Sequence, residues 1–310
     1  MYDVLGVGCC SLDITLEVSR YPGPDEKLRA DQLRLQGGGL TATALVAVAR
    51  LGGRAAWLGA LGDDALARRC LEELEREGVD VSLVRTVPGQ SIITAVIVAD
   101  AAAGTRMILW TDRAQPPTSP RQVTEDLVRE ARVLHVDNFQ LPAALRGARL
   151  ARRLKVPVTA DLEPGMAQAD ELLPLVDYPI VPLEFARARY GTGALRDAAR
   201  ALFEEIAPHG GRMAIVTAGT RGSYAVGGEV EVHQPAYHVQ VVDTTGCGDV
   251  FHGAFALSLA RGVPAPDALR FSAAAAALKC RALGGRAGIP TRREVEDFLA
   301  AGPVPMELEA

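Results

Sequence analysis

The stretch "DTTGCGDVFHGAF", residues 243–255, decides how the rest of the chain is interpreted. Two acids, Asp243 and Asp249, enclose a glycine-rich turn that passes into an apolar helix. The turn residues between them include Gly246, Cys247 and Gly248. Glycine lets a ligand approach the backbone closely, and the first amides of a helix carry partial positive charge without a partner in that helix. Because "VQVVD" before the turn resembles the end of a strand, the pattern predicts a strand, a turn and an anion-binding helix N-terminus.

The carboxylate of Asp249 has three possible roles: metal ligand, proton acceptor or helix cap. Beside an anion site, it could take the proton from a hydroxyl that attacks phosphorus, while the turn amides stabilise the transferred charge. An acid that merely favours the helix dipole is the alternative.

Elsewhere, strands alternate with helices along the whole chain. "YDVLGVG", "ARVLHVDNF" and "VPVTADLEPG" have the apolar character of buried strands, and the segments between them contain amphipathic helices. Such alternation predicts an α/β fold in three layers, with a central, mostly parallel sheet covered by helices on both faces. We find no repeat and no long linker, so residues 1–310 are predicted to form a single domain.

Two segments depart from this alternation, residues 13–36 and 91–111. "LDITLEV" and "KLRADQLRLQ" alternate in polarity, and "SIITAVIVAD" and "TRMILWTD" are predicted to form a hairpin joined by "AAAG", residues 101–104. Together they predict a small sheet that stands off the main body.

Composition excludes several classes of protein. The net charge of −5 and the lack of a basic stretch argue against nucleic-acid binding. No apolar run approaches the roughly 20 residues that cross a bilayer, and the N-terminus lacks the features of a signal peptide. The five cysteines and five histidines show no metal-ligand spacing, which favours reduced thiols in a cytoplasm.

The 243–255 stretch resembles the D-T-x-G-A-G-D-x-F-x-G-x-F signature of the ribokinase-like (PfkB) carbohydrate kinases, with Cys247 in place of alanine. "GGGLTATALVAVARLGG" resembles the N-terminal signature of the same family, and the resemblance extends from residue 4 to about residue 299. "LHVDNF" and "VTADLEPG" are similar to the ketohexokinase-like branch. The resemblance implies an ATP-dependent kinase that phosphorylates a hydroxymethyl group of a ketose or pentose, with Asp249 as general base.

The resemblance also implies a sugar site. Gly38 and Gly39 match the glycine pair of the family, and Thr43 stands where asparagine is usual. Asp13, which we expect at the end of the first strand, matches an acid that grips two sugar hydroxyls. Arg106 matches a basic residue near the sugar and phosphates. Helix capping by Thr43 and an ordinary exposed strand arginine remain the alternatives.

On the nucleotide side, "IVTAGTRGSYAV" resembles the T-x-G-x-x-G element of the family. The ATP-binding residues implied are Thr217, Gly219, Gly222, Gly246 and Gly248. Glu184 matches the glutamate of a Mg²⁺-organising N-x-x-E motif although Val181 occupies the asparagine position, and a first-turn helix acid is its alternative. Asp243 and the loop 284–288 are implied to bind a monovalent cation, with K⁺ as the candidate.

Three other functions are alternatives to a sugar kinase. A nicotinamide dehydrogenase is excluded, because "GVG" in the first strand continues into "CCSLDITLEV" and opens no helix. A nucleoside kinase of the same superfamily and a catalytically silent sugar-binding regulator remain open. The small sheet would act as a lid over the sugar, and its unpaired edges predict a homodimer.

Overall fold

The structure, a computed structural model, describes residues 1–100, 105–164 and 169–306. Its strands are β1 (Tyr2–Val7), β2 (Ser11–Val18), β3 (Gln32–Gly38), β4 (Ala55–Leu58), β5 (Ala60–Gly62), β6 (Val79–Asp80), β7 (Arg85–Val87), β8 (Ile93–Asp100), β9 (Thr105–Thr111), β10 (Ala131–Asp137), β11 (Val158–Asp161), β12 (Tyr178–Pro182), β13 (Ala214–Thr217), β14 (Ser223–Gly227) and β15 (Val230–Gln234). Its helices are α1 (Leu40–Arg50), α2 (Ala65–Arg76), α3 (Glu125–Arg129), α4 (Leu141–Leu154), α5 (Ala169–Leu172), α6 (Leu183–Tyr190), α7 (Leu195–Ile206), α8 (Cys247–Ala260), α9 (Ala265–Lys279) and α10 (Arg292–Ala300).

The large sheet confirms the predicted fold class. Nine strands follow the order β15-β14-β13-β12-β11-β10-β1-β4-β6. All neighbouring strands run parallel except the pairs β13–β14 and β14–β15, which are antiparallel. The carboxyl ends of the parallel strands therefore meet along one edge, where ligands of open α/β sheets bind.

Two hydrophobic cores lie on opposite faces of this sheet. In β1, Val4 belongs to one core, whereas Leu5 and Val7 belong to the other. The first core is completed by α1, α8 and α9, and the second by α4, α6 and α7. Because successive side chains of a strand point to opposite faces, a uniformly apolar strand serves both cores, which confirms the three-layer prediction.

The small sheet is also present, in the order β3-β2-β8-β9. The antiparallel pair β8–β9 confirms the predicted hairpin strands, while "AAAG", residues 101–104, lies outside the described residues. The expectation that Asp13 ends the first strand is wrong. β1 ends at Val7, and Asp13 is the third residue of β2 in the small sheet. The ladder of β1 stops because the Cys9 amide donates to the Asp137 carboxylate, at 2.6 Å.

The two faces of the small sheet differ in polarity. We call the side with the central apolar patch the outer face, and the paired residues of this patch are Ile14, Leu16, Leu33, Leu35, Val96, Val98, Met107 and Leu109. The Thr94–Thr111 pair borders the patch, and Leu35 also packs against the first core. The other side, the inner face, carries Asp13 and Thr15, both buried against the main body. The alternation in the sequence is thus confirmed. The central apolar patch is turned away from the main body, whereas Leu12 of the same face belongs to the first core.

The strand predicted for "VQVVD" is absent, since the described residues 235–246 contain no strand. The amides of Val242 and Asp243 donate to the carbonyl of Cys280, at 2.8 and 3.1 Å. Their partner is the end of a helix and not a neighbouring strand, so no ladder can form. Residues 243–246 are a turn of irregular backbone that leads directly into α8. None of the described helices is long and apolar enough to span a membrane.

Helix α8 lies unusually close to α1. A Cβ atom added to Gly253 would lie 2.1 Å from the carbonyl oxygen of Ala44, which belongs to α1. Both helices are in the first core, and the backbone of α1 cannot move without disturbing the buried strands beneath it. Gly253 therefore sets the distance between these helices.

We expect Gly253→Ala to lower the free energy of unfolding by about 1–3 kcal/mol, the usual cost of overpacking. Urea denaturation measures the change. Gly147→Ala is the matched control, because Gly147 also lies inside a helix but its added Cβ would meet only side-chain methyl groups, the nearest at 3.2 Å. An equal loss of stability in both variants would contradict this account of the α1–α8 contact.

Candidate active site

The glycine turn before α8 has the geometry that an anion site requires. Gly246 has φ +77°, and an added Cβ would lie 2.5 Å from the Gly285 carbonyl oxygen, so only glycine fits there. Around Gly248 nothing lies within 4 Å of an added Cβ, which leaves space for a ligand. The Cys247 amide already donates to the Thr244 carbonyl at 3.2 Å. Among the described residues, the amides of Gly248 and Asp249 have no carbonyl partner. We call the turn 243–246 and the first amides of α8 the cradle, and these two amides are its open part.

Asp249 lies in the first turn of α8 and is partly exposed. No hydrogen bond to its carboxylate is found within the described part of the chain. Burial raises the pKa of Asp249 well above its ordinary value, and the nearby carboxylates of Asp161 and Glu163 raise it further. A carboxylate with free lone pairs and a raised pKa is suited to accept a proton.

Asp161 and Glu163 were not singled out by the sequence analysis. Asp161 is the last residue of the central strand β11, whose carboxyl end faces the first turn of α8. Its carboxylate lies 3.5 Å from Nδ1 of His252, and the same nitrogen lies 2.8 Å from the Gly248 carbonyl oxygen. His252 Nε2 lies 3.1 Å from the carbonyl oxygen of Ile180 in β12. His252, which is buried, therefore connects the first turn of α8 with strands β11 and β12.

Asp243 closes the turn from the other side. Its Oδ1 accepts hydrogen bonds from the amide and hydroxyl of Thr245, at 2.8 and 2.7 Å, and its Oδ2 accepts from the amide of Gly284, at 2.7 Å. Lys279 Nζ donates to the Asp243 carbonyl at 3.0 Å. Although burial alone would raise it, Lys279 and these donors hold the pKa of Asp243 below its ordinary value. These contacts support a loop-closing role, and the monovalent cation remains a prediction.

The candidate sugar residues converge on one point. Asp13 accepts a hydrogen bond from the Ser11 hydroxyl at 2.8 Å, and an added Cβ on Gly38 would lie 2.1 Å from its carboxylate. Gly39 has φ +90° and would collide with the backbone of Cys10 if it carried a side chain. Burial raises the pKa of Asp13, and Asp13 in turn raises that of Asp249, so the two carboxylates share one electrostatic environment.

Arg286, also missed in the sequence, lies beneath the sugar residues and is fully buried. Its Nη2 donates to the Gly38 carbonyl at 2.7 Å, its Nε to the Thr43 hydroxyl at 3.4 Å, and its Nη1 to Glu73 at 3.4 Å. Because Arg286 occupies a lone pair of the Thr43 oxygen, the hydroxyl proton of Thr43 is left to donate to another group. Arg286 belongs to the 284–288 loop, and Gly284 of that loop donates to Asp243. Arg286 therefore connects Gly38 and Thr43 with the turn before α8.

Arg106 extends from β9 of the small sheet to the turn. Its Nη1 donates to the Thr244 hydroxyl at 2.6 Å. The sheet is thus attached to the loop that carries the cradle, directly beside the open amides.

The residues predicted to bind ATP and metal lie at the same edge of the large sheet. Thr217 ends β13, and Gly219 and Gly222 follow it with φ +55° and +78°. Glu184 is exposed in the first turn of α6. Burial raises the pKa of Glu163, and the negative charge of Glu184 adds to that rise. The side chain of Val181 is instead buried in the core. Within the described residues, no three His, Cys, Asp or Glu side chains are arranged to hold a metal ion.

Comparison with known proteins agrees with this geometry. The model of the pfkB family of carbohydrate kinases matches residues 1–292. Ribokinase of Haemophilus influenzae is 30% identical over 302 residues, which cover 94% of this chain and 97% of that protein. The ATP-dependent ribose-1-phosphate kinase of Halopiger xanaduensis is 31% identical, with coverage of 97% and 99%.

Among solved structures, Arabidopsis thaliana ribokinase complexed with ribose and ATP superimposes with a TM-score of 0.81. It is 27% identical, with coverage of 96% of this chain and 98% of that chain. The family match spans nearly the whole chain and includes the turn, the sugar residues and both sheets. The chain therefore belongs to the pfkB family of carbohydrate kinases, which transfer a phosphoryl group to an alcohol.

Proposed function

We propose that residues 1–310 form a single kinase domain that transfers the γ-phosphoryl group of ATP to the hydroxymethyl group of a pentose, with ribose as the first candidate. The observation that carries the proposal is that a carboxylate and two amides without carbonyl partners lie side by side at the start of α8. The unbonded carboxylate of Asp249 adjoins two amides that have no carbonyl partner, and Asp13 shares the same environment. A base, a phosphate cradle and a diol acceptor are what this reaction needs.

In the proposed reaction, Asp13 accepts hydrogen bonds from two sugar hydroxyls and orients the sugar. Asp249 takes the proton from the hydroxymethyl oxygen as that oxygen attacks the γ-phosphorus in line. The amides of Gly248 and Asp249 donate to the phosphoryl oxygens, where charge accumulates. Arg106, held at Thr244, places a positive charge over the same oxygens.

Mg²⁺ fits the carboxylates at this edge, because it prefers oxygen ligands and retains waters and phosphates as partners. Glu184, with Glu163 beside it, would hold the hydrated ion. When bound, Mg²⁺ would neutralise phosphate charge. The inner face of the small sheet would cover the sugar and exclude water, which would otherwise hydrolyse ATP.

The direct test is ADP release by wild-type protein and Asp249→Asn with ribose, deoxyribose, ribose 1-phosphate, ketohexoses and nucleosides as acceptors. We expect turnover on a pentose, and a fall in kcat of about 10²–10⁴-fold in the variant, because a general base contributes that much. Asp267→Asn is the matched control, since Asp267 lies in the first turn of the neighbouring helix α9 and is exposed.

Each alternative role or function predicts a different result in this assay. Full activity of Asp249→Asn would contradict the base and would favour the helix-dipole role. A preference for nucleosides would indicate a nucleoside kinase. Binding of sugar and ATP without turnover on any acceptor would indicate a silent regulator.

The neighbours of Asp249 predict a pH dependence. Protonated Asp249 cannot accept a proton, so kcat/KM falls as the pH drops through its pKa, which Asp161 and Glu163 raise. Removing either negative charge lowers that pKa, because a neighbouring carboxylate disfavours the ionised form of Asp249. Asp161→Asn and Glu163→Gln should therefore shift the acid limb of the profile to lower pH, and Asp267→Asn should not. An acid limb that stays in place or moves to higher pH would contradict this assignment.

We also propose that the chain forms a homodimer through the outer face of the small sheet. The central patch of that face consists of eight apolar residues, and none of them is fully buried. Leu33 and Leu109 are 66% and 61% exposed. Contiguous exposed apolar patches usually mark an interface, and a second copy offers the same patch for isologous sheet packing. The exposed patch thus favours a dimer in which the two outer faces pack together, in addition to the pairing of sheet edges that the sequence predicts.

Sedimentation should show a dimer for the wild type and a monomer for Leu109→Glu, because a carboxylate buried in the interface has no partner. Leu66→Glu, on the exposed side of α2, is the control and should stay dimeric. A monomeric wild-type protein would overturn the proposal, as would a dimer that Leu109→Glu does not affect.

A further inference from the structure

A buried lysine lies behind the turn of the cradle. The chain has three lysines, of which Lys27 and Lys155 are exposed. Lys279, the last residue of α9, is fully buried. An ammonium group is rarely removed from water in this way unless oxygen atoms of the protein take the place of the water. The proposed phosphoryl transfer does not use this group, so its burial requires another explanation.

The ammonium group of Lys279 binds the backbone of the turn. Its Nζ donates to the Asp243 carbonyl at 3.0 Å, and no carboxylate within the described ranges forms an ion pair with it. The carbonyl of the next residue, Cys280, accepts hydrogen bonds from the amides of Val242 and Asp243, at 2.8 and 3.1 Å. Three hydrogen bonds therefore fix the end of α9 to residues 242 and 243, and one of them brings a positive charge to a backbone oxygen.

Lys279 lies where the resemblance to the family predicts a monovalent cation, at Asp243 and the loop 284–288. K⁺ and an ammonium group both carry one positive charge and both bind carbonyl oxygens. The Asp243 carboxylate already accepts three hydrogen bonds from Thr245 and Gly284, and its carbonyl accepts one from Lys279. A K⁺ ion at Asp243 would lie close to the ammonium group, and like charges repel strongly in a buried site. The residues present therefore fit a K⁺ ion poorly.

The charges of Lys279 and Asp243 stabilise each other. Although burial acts in the opposite direction, the charge of Lys279 helps to hold the pKa of Asp243 below its ordinary value. Burial lowers the pKa of Lys279, and the negative charge of Asp243 is the strongest effect that opposes this. The last turn of a helix also favours a cation, and Lys279 ends α9. Removing the ammonium group would leave Asp243 buried without the positive charge that offsets its own.

We propose that the ammonium group of Lys279 takes the place of the monovalent cation, so that this kinase works without K⁺. Asp243 closes the turn that leads to the open amides of Gly248 and Asp249. Lys279 is thus a positioning residue, which acts on the cradle through Asp243 and touches neither sugar nor phosphate. The effect on rate rests on the proposed function, whereas the exclusion of K⁺ does not.

The test compares the wild type with Lys279→Ala in KCl and in choline chloride of equal ionic strength. The melting temperature and the initial rate of ADP release are measured in both salts. The wild type should give the same values in each. Lys279→Ala removes the charge and leaves space for an ion, so K⁺ should raise its melting temperature. K⁺ should also restore its rate by roughly 5–150-fold, the usual range of coupling between two sites.

Lys279→Met separates the charge from the space that the side chain fills. Methionine removes the charge but occupies nearly the same volume, so K⁺ should neither stabilise nor activate this variant. Its rate should be about a hundredfold below that of the wild type in both salts, because a misplaced cradle costs about that much. Lys155→Met is the matched control, since Lys155 is an exposed lysine that follows α4, and it should behave as the wild type does.

Melting temperature and rate decide separate points. A wild-type protein that K⁺ stabilises or activates would overturn the proposal, because an ion would then bind beside Lys279. Lys279→Met with the rate of the wild type, or Lys279→Ala that does not respond to K⁺, would overturn it as well. If Lys279→Ala does not fold in either salt, the wild type and Lys279→Met decide. If no acceptor is phosphorylated, the proposed function fails, and the melting temperatures still test whether Lys279 excludes K⁺.

Discussion

The carboxylate of Asp243 fixes the turn on which the rest of the site depends. It accepts three hydrogen bonds, from the amide and hydroxyl of Thr245 and from the amide of Gly284. Between these anchors Gly246 takes a left-handed conformation that its contact with Gly285 permits to no other residue. The amides of Gly248 and Asp249 in the next turn have no carbonyl partner among the described residues. The open cradle is thus a consequence of closing the loop behind it.

The proposed sugar site is connected to this turn by two arginines that lie far from the turn in the sequence. Arg286 links the 284–288 loop to Gly38 and Thr43, and Arg106 links the small sheet to Thr244. The inner face of the small sheet carries Asp13 and Arg106, and its outer face carries the apolar patch, so the proposed sugar site and the proposed dimer contact lie on opposite faces. The same four strands therefore take part in both the proposed sugar binding and the proposed dimerisation.

The sequence predicted the parallel sheet, the small sheet and the composition of the cradle, because period, glycine placement and motif are local properties. It could not show that Val242 and Asp243 bind a helix end, or that Asp13 lies beyond the break at Cys9, since the partners Cys280 and Asp137 are distant in sequence. Alternation also cannot tell which face of a sheet meets the main body. The acids around Asp249 and the buried arginine were missed for the same reason, since only the fold brings them together.

The most direct measurement is a crystal structure of the chain with ribose and a non-hydrolysable ATP analogue. The account predicts the hydroxymethyl oxygen within about 2.6–3.2 Å of the Asp249 carboxylate, the range in which a general base acts. It also predicts the γ-phosphate on the amides of Gly248 and Asp249. A γ-phosphate bound elsewhere, or a sugar whose hydroxymethyl group points away from Asp249, would contradict the account.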